Sequence, residues 1–126
     1  MSKFSNCIAL VVEDDLSSRQ YLKFMLKRLD IAFVEAENGE EALEIMKDAK
    51  VGIMLLDIAL GPGMSGIQLC ERLKQEARFS NTPAVAVTAF AQDNLADFER
   101  VGFSGYLSKP YLFEQLSEIL DQHLTT

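Results

Sequence analysis

Tryptophan is absent from this chain of 126 residues, and histidine (His123) occurs once, cysteine twice (Cys7 and Cys70) and proline three times. One imidazole and two thiols are too few ligands for a zinc cluster. The two cysteines stand far apart among apolar neighbours, which reads as buried, reduced thiols and not as a disulfide. Cations are scarce: 12 Lys and Arg face 19 Asp and Glu, for a formal charge of −7. Phosphate backbones are held by clustered Lys and Arg, so direct nucleic-acid binding is not expected. No apolar run approaches the roughly 20 residues of a membrane helix, and Met1 to Ser5 lacks the charged-then-apolar layout of a signal peptide. No membrane contact and a cytoplasmic location are the expectation.

What is present is a globular composition, 48% hydrophobic and 25% charged, in a length that suits one domain over residues 1–126. Short apolar runs alternate with stretches of helical spacing. The runs "CIALVV" (7–12), "IAFVEA" (31–36), "VGIMLLD" (51–57), "PAVAVTA" (83–89) and "SGYLS" (104–108) read as strands, several buried on both faces. Between them, Leu22, Met25, Leu26 and Leu29 form one stripe of a helix over 16–29. Asn38 with Glu41, and Ser65 with Gln68, have capping-box spacing. These starts precede Ala42, Leu43 and Ile45 in a helix through Met46, and Ile67, Cys70 and Leu73 in the next. A more polar helix spans Gln92 to Val101, and Leu112, Leu116, Ile119 and Leu120 mark a last one. Five βα units connected right-handedly predict a parallel sheet covered on both faces, with its functional groups at the carboxyl ends of the strands.

Those ends carry Glu13 and Asp14, Asp57, Thr88 and Lys109. Each alone has a plain structural explanation: solvated strand-end acids, a turn aspartate, a β-favouring threonine, a surface lysine. In a 2-1-3-4-5 strand order, however, all of them share one sheet edge. Clustered carboxylates without nitrogen or sulfur ligands suit Mg2+. A cation, an ammonium and a hydroxyl together would neutralise and orient a phosphoryl group. An aspartate can itself accept that group, and Asp57, leaving the central third strand, is the candidate.

Four stretches in order, "LVVEDD", "MLLDIAL", "AVTAF" and "GYLSKP", resemble the receiver domain of two-component response regulators, chemotaxis regulators included, over essentially the whole chain. The resemblance implies a single-domain, flavodoxin-like three-layer α/β sandwich with a five-stranded parallel sheet and five helices. It makes Asp57 the phosphoacceptor, supplied by a histidine kinase or histidine phosphotransfer domain. It implies a Mg2+ site, for which Mn2+ can substitute, formed by Asp14, Asp57, the Ala59 backbone carbonyl and Glu13 through water. Thr88 and Lys109 would bind the phosphoryl group, and Thr88 with Tyr106 would switch a surface over about 92–124 that meets a downstream protein. Such a chain is not an enzyme in the usual sense, since it catalyses only its own phosphorylation and dephosphorylation. It would carry no effector module. Lys109–Pro110 is implied to be cis.

Four features depart from the pattern or add to it. The loop "IALGPGMSG" is one residue longer than the common form, with Pro62 five residues past Asp57. Ala59 and Phe90 offer no polar side chain near the phosphoryl group, which implies weak assistance to hydrolysis and a long-lived phosphorylated state. Arg19, Lys23 and Lys27, four apart on the first helix, read either as a solvated face or as a docking stripe for the phosphodonor. Asp15 is expected to cap that helix rather than to hold the cation. The alternatives are a phospho-independent interaction module on the same fold and, less favoured, a Mg2+-dependent phosphohydrolase.

Overall fold

The computed structural model describes residues 7–89 and 95–124. Five strands, β1 (Ile8–Val12), β2 (Ala32–Ala36), β3 (Ile53–Leu56), β4 (Ala84–Thr88) and β5 (Gly105–Ser108), alternate with α1 (Leu16–Arg28), α2 (Gly39–Met46), α3 (Gly66–Lys74), α4 (Leu95–Val101) and α5 (Phe113–Leu124). All strand pairs are parallel and the order is β2-β1-β3-β4-β5. The expected sandwich is therefore the observed one. Each strand is one to three residues shorter than its apolar run, because the flanking residues turn out of the ladder.

Strand side chains alternate between two cores, as the pleat requires. Leu10, Val12, Met54, Leu56 and Ala86 pack with Ala42, Met46, Leu69, Leu73 and Phe98 from α2, α3 and α4. Ala9, Val11, Ile53, Leu55 and Val87 pack on the other face with Leu22, Met25, Leu26, Leu116 and Leu120 from α1 and α5. Burial on both faces explains why β1, β3 and β4 read as continuous apolar runs. Leu112 does not join this packing: it precedes α5 and is 64% exposed. Among the described residues no helix is long and apolar enough to cross a membrane.

Helix starts follow their polar signals, with one exception. The Asp15 carboxylate accepts from the Ser18 N–H at 2.8 Å, capping α1 as expected. Ser65 and Gln68 close a full capping box: Ser65 Oγ accepts the Gln68 N–H at 3.1 Å and Gln68 Oε1 accepts the Ser65 N–H at 2.9 Å. At α2 only half of the box forms. Asn38 accepts from the Glu41 N–H at 2.7 Å, but the Glu41 carboxylate accepts from Glu37 N–H at 3.3 Å, one residue too early to close the ring. The expected start of the fourth helix at Gln92, and Phe90, lie outside the described residues.

The long β3–α3 loop is anchored at both ends. It buries Leu60, passes through a left-handed turn at Gly61 (φ 76°), and returns where the Gly66 N–H donates to Ile58 O at 2.9 Å. A Cβ at Gly66 would overlap the Asp57 carbonyl oxygen and stand 2.7 Å from its carbonyl carbon. Only glycine lets α3 begin this close to the end of β3. Gly66→Ala is expected to destabilise the fold by about 1–3 kcal/mol through overpacking. A urea denaturation midpoint equal to wild type would contradict this close approach.

Candidate functional site

Parallel register brings the polar residues together. Val12 pairs with Leu56 and Thr88 with Ser108, so the residues that follow β1, β3 and β5 emerge on one edge. Backbone bonds extend the ladders by one step there. Asp57 N–H donates to Val12 O at 3.0 Å, Glu13 N–H to Ala36 O at 3.1 Å, and Lys109 N–H to Thr88 O at 3.0 Å. Positions of the three side chains are thus set by the sheet, not by flexible loops.

Glu13, Asp14 and Asp57 each present a carboxylate oxygen, all within 4.8 Å of one another. Glu13 and Asp57 are buried while Asp14 faces solvent. Lys109 Nζ bridges the buried pair, contacting Glu13 Oε1 and lying 3.0 Å from Asp57 Oδ2. The remaining oxygens are also engaged: Glu13 Oε2 accepts the Asp15 N–H at 3.0 Å and Asp57 Oδ1 accepts the Ala59 N–H at 3.1 Å. Thr88 is buried at the same edge, and the Lys109–Pro110 peptide is cis. An oxygen-only donor set with one solvent-facing carboxylate fits a hard divalent cation that keeps several waters.

Tyr106 lies further down β5, paired with Ala86 on the sheet face that Thr88 shares. It is half-exposed and lines a cleft of about 310 Å³ with Leu95, Phe98 and Phe103. On the opposite side of Lys109, Tyr21 donates its hydroxyl to Tyr111 O at 3.1 Å. With Ser17, Ala89 and Pro110 these tyrosines line a groove of about 450 Å³. Nothing in the apolar pattern pointed to this groove, because it joins α1 to the segment after β5. Cys7 and Cys70 are free thiols as expected, but only Cys70 is buried, which pushes it up to about 11; Cys7, just before β1, is partly exposed, contrary to the expected burial.

The basic residues of α1 do not form an exposed docking stripe. Arg19 is buried, pairing with Glu35 and Glu37 at 3.4 Å each, and Lys23 pairs with Glu35 at 2.7 Å. Two of the three cations are thus committed to acids at the end of β2, and Lys27 is exposed with no such pair among the described residues. The signal was in the spacing: Arg19, Leu22 and Leu26 are i, i+3 and i+7, so Arg19 falls on the helix face that packs inward.

Burial pushes the Glu13 carboxyl from an ordinary 4.5 up to about 7; the Lys109 ammonium opposes this and the Asp57 carboxylate adds to it. Burial also works against the Lys109 ammonium, but its bonds to Glu13 and Asp57 outweigh that and raise it. The unfolded chain releases the Glu13 proton near 4.5 while the folded chain holds it to about 7. Stability therefore falls as pH rises through that window. The Lys109 contribution is complete below its ordinary 10.5 and is lost only above its raised value. In chelator, the thermal midpoint of wild type relative to Glu13→Gln is expected to fall between about pH 5 and pH 7.5. Parallel curves for the two proteins would contradict it.

Comparison with known proteins gives a family model, response regulator receiver domain, that matches residues 9–121. The phosphate regulon regulator PhoB of Pseudomonas aeruginosa is 34% identical over 103 residues, which are 81% of this chain and 44% of PhoB. The chain spans less than half the length of several further curated relatives. The structure of chemotaxis protein CheY4 of Vibrio cholerae superposes with a TM-score of 0.88 at 25% identity, covering 94% of this chain and 98% of that one. The receiver domain of sensor histidine kinase PA1611 of Pseudomonas aeruginosa, described with magnesium in its active-site cleft, has the same fold at TM-score 0.87 and 23% identity, over 95% and 98%.

Proposed function

The chain belongs to the response regulator receiver family of two-component signalling proteins, and on that premise we propose that Asp57 accepts a phosphoryl group from a phosphohistidine donor. The observation that carries this reading is the cluster of three carboxylates within 4.8 Å, two of them buried, with Lys109 bonded to Asp57. Receiver domains work with histidine kinases or phosphotransfer partners, and the donor here is one of these.

In the proposed step an Asp57 carboxylate oxygen attacks phosphorus, the P–N bond to the donor imidazole breaks, and the departing imidazole keeps the electron pair. Asp14, Asp57, the Ala59 carbonyl and, through water, Glu13 would hold Mg2+ or Mn2+, which when bound supplies charge neutralisation for the phosphoryl oxygens. Of the two acids that follow β1, the solvent-facing Asp14 suits direct contact, while Glu13, buried and bonded to Lys109 and the Asp15 N–H, suits a role through water. Once Asp57 is phosphorylated, Lys109 turns from carboxylate to phosphoryl oxygen and the buried Thr88 hydroxyl follows. Tyr106, on the same sheet face, then reads the shift toward the surface of α4, β5 and α5, where a downstream protein docks.

Intact mass after treatment with acetyl phosphate and Mg2+ tests this. Wild type is expected to gain one phosphoryl group, Asp57→Asn none, and Asp14→Asn none at Mg2+ concentrations that suffice for wild type. A wild type that gains no mass overturns the reading in favour of a phospho-independent module. Phosphate release from a phosphomonoester that persists in Asp57→Asn, with no phosphoryl mass on the wild-type protein, would favour a phosphohydrolase instead. Because Ala59 offers only its backbone to the site, unassisted water is expected to leave the aspartyl phosphate long-lived. Rapid loss of the added mass in Mg2+ would contradict that.

A further inference from the structure

Arg19 is the one buried guanidinium among the described residues, and the phosphoryl chemistry above does not use it. Its Nη1 donates to the Glu13 backbone carbonyl at 2.8 Å, and its own N–H donates to Asp15 O at 2.9 Å. The second bond is the first-turn backbone bond of α1, which any residue at 19 would keep, so the guanidinium's own hold on the segment is its bond to the Glu13 carbonyl just before Asp14. The other two edges of the fork meet Glu35 Oε1 and Glu37 Oε1 at 3.4 Å, and Lys23 holds the second oxygen of Glu35 at 2.7 Å. Glu13 N–H is bonded to Ala36 O on the same strand end. The peptide that presents Asp14 is thus fastened from α1 and from β2, while the Asp14 carboxylate itself faces solvent.

We propose that Arg19 is a positioning residue for the divalent-cation site: it acts through the Glu13 carbonyl to hold Asp14 in register with Asp57, and it is itself oriented by Glu35 and Glu37. This rests on the assignment of Asp14 and Asp57 as cation ligands. The role needs a planar fork with several donors in fixed directions, which a lysine ammonium cannot supply. It also makes the end of β2 part of the site's support, through the Ala36 bond to Glu13 and the pairs of Glu35 and Glu37 with Arg19.

Charge and positioning predict opposite outcomes, which makes the idea testable. Removing a nearby cation strengthens divalent-cation binding if only the field matters, and loosening the Asp14 peptide weakens it. The experiment compares Mn2+ dissociation constants, from electron paramagnetic resonance of free Mn2+, for wild type, Arg19→Gln and Arg19→Lys, with thermal midpoints measured in chelator. Both variants are expected to bind Mn2+ about tenfold more weakly than wild type, as for other residues that orient a metal ligand. Arg19→Lys keeps the charge and the aliphatic stem, so it decides the matter if Arg19→Gln does not fold. Wild-type affinity in Arg19→Lys, with or without a lowered midpoint, overturns the proposal, as does tighter binding by Arg19→Gln. Absence of Mn2+ binding by wild type would instead overturn the ligand assignment on which it rests.

Discussion

The Lys109 ammonium, held between the buried carboxylates of Glu13 and Asp57, is the contact on which the site depends. Two carboxylates about 5 Å apart near a protein surface repel by an energy on the order of 3 kcal/mol, and burial adds a desolvation term to each. Without a cation between them the edge of the sheet would hold protonated acids or would open. Lysine suits this role because its compact ammonium reaches both oxygens at once. The raised Glu13 carboxyl records that the compensation is incomplete. A divalent cation, when bound, would offset that residual imbalance.

Everything else in the fold serves to put four chain segments, distant in sequence, at that edge. The parallel ladder does so with one hydrogen bond past each strand end, at Glu13, Asp57 and Lys109. Because β1, β3 and β4 are covered on both faces, a slip of one residue would exchange the two cores and is strongly opposed. Gly66 adds a second restraint, letting α3 begin against the Asp57 carbonyl. A site whose carboxylates sit on strand ends is thereby rigid where it holds charge. Variation is left to the loops that flank it, such as the extended turn through Gly61.

Much of this was legible in residue order. The five apolar runs, the caps at Asp15 and Ser65, and the acids that end β1 and β3 all carry local signals, since capping and pleating depend on neighbours within a few residues. The burial of Arg19 is not legible in this way: a basic spacing of four suggests a solvated face, while its inward position depends on Glu35 and Glu37 at the end of β2. The capping box at Asn38 failed for a related reason: Glu41 found a competing backbone donor at Glu37 that spacing alone does not rank. Leu112 kept the apolar period of α5 but lies before its first turn and stays exposed.

The sequence by itself determined the alternation of strands and helices, hence the parallel sheet, and with it the edge at which Glu13, Asp14, Asp57, Thr88 and Lys109 had to meet. Periodicity and strand-end position are properties of the chain read a few residues at a time. Only the tertiary structure decided which charges pair. Lys109 bridges two acids, Arg19 faces inward to join the Glu13 carbonyl to acids at the end of β2, and Lys27 stays exposed with no acidic partner among the described residues. Ion pairs between distant segments depend on distances of a few ångströms and on burial, and neither quantity exists until the sheet has closed.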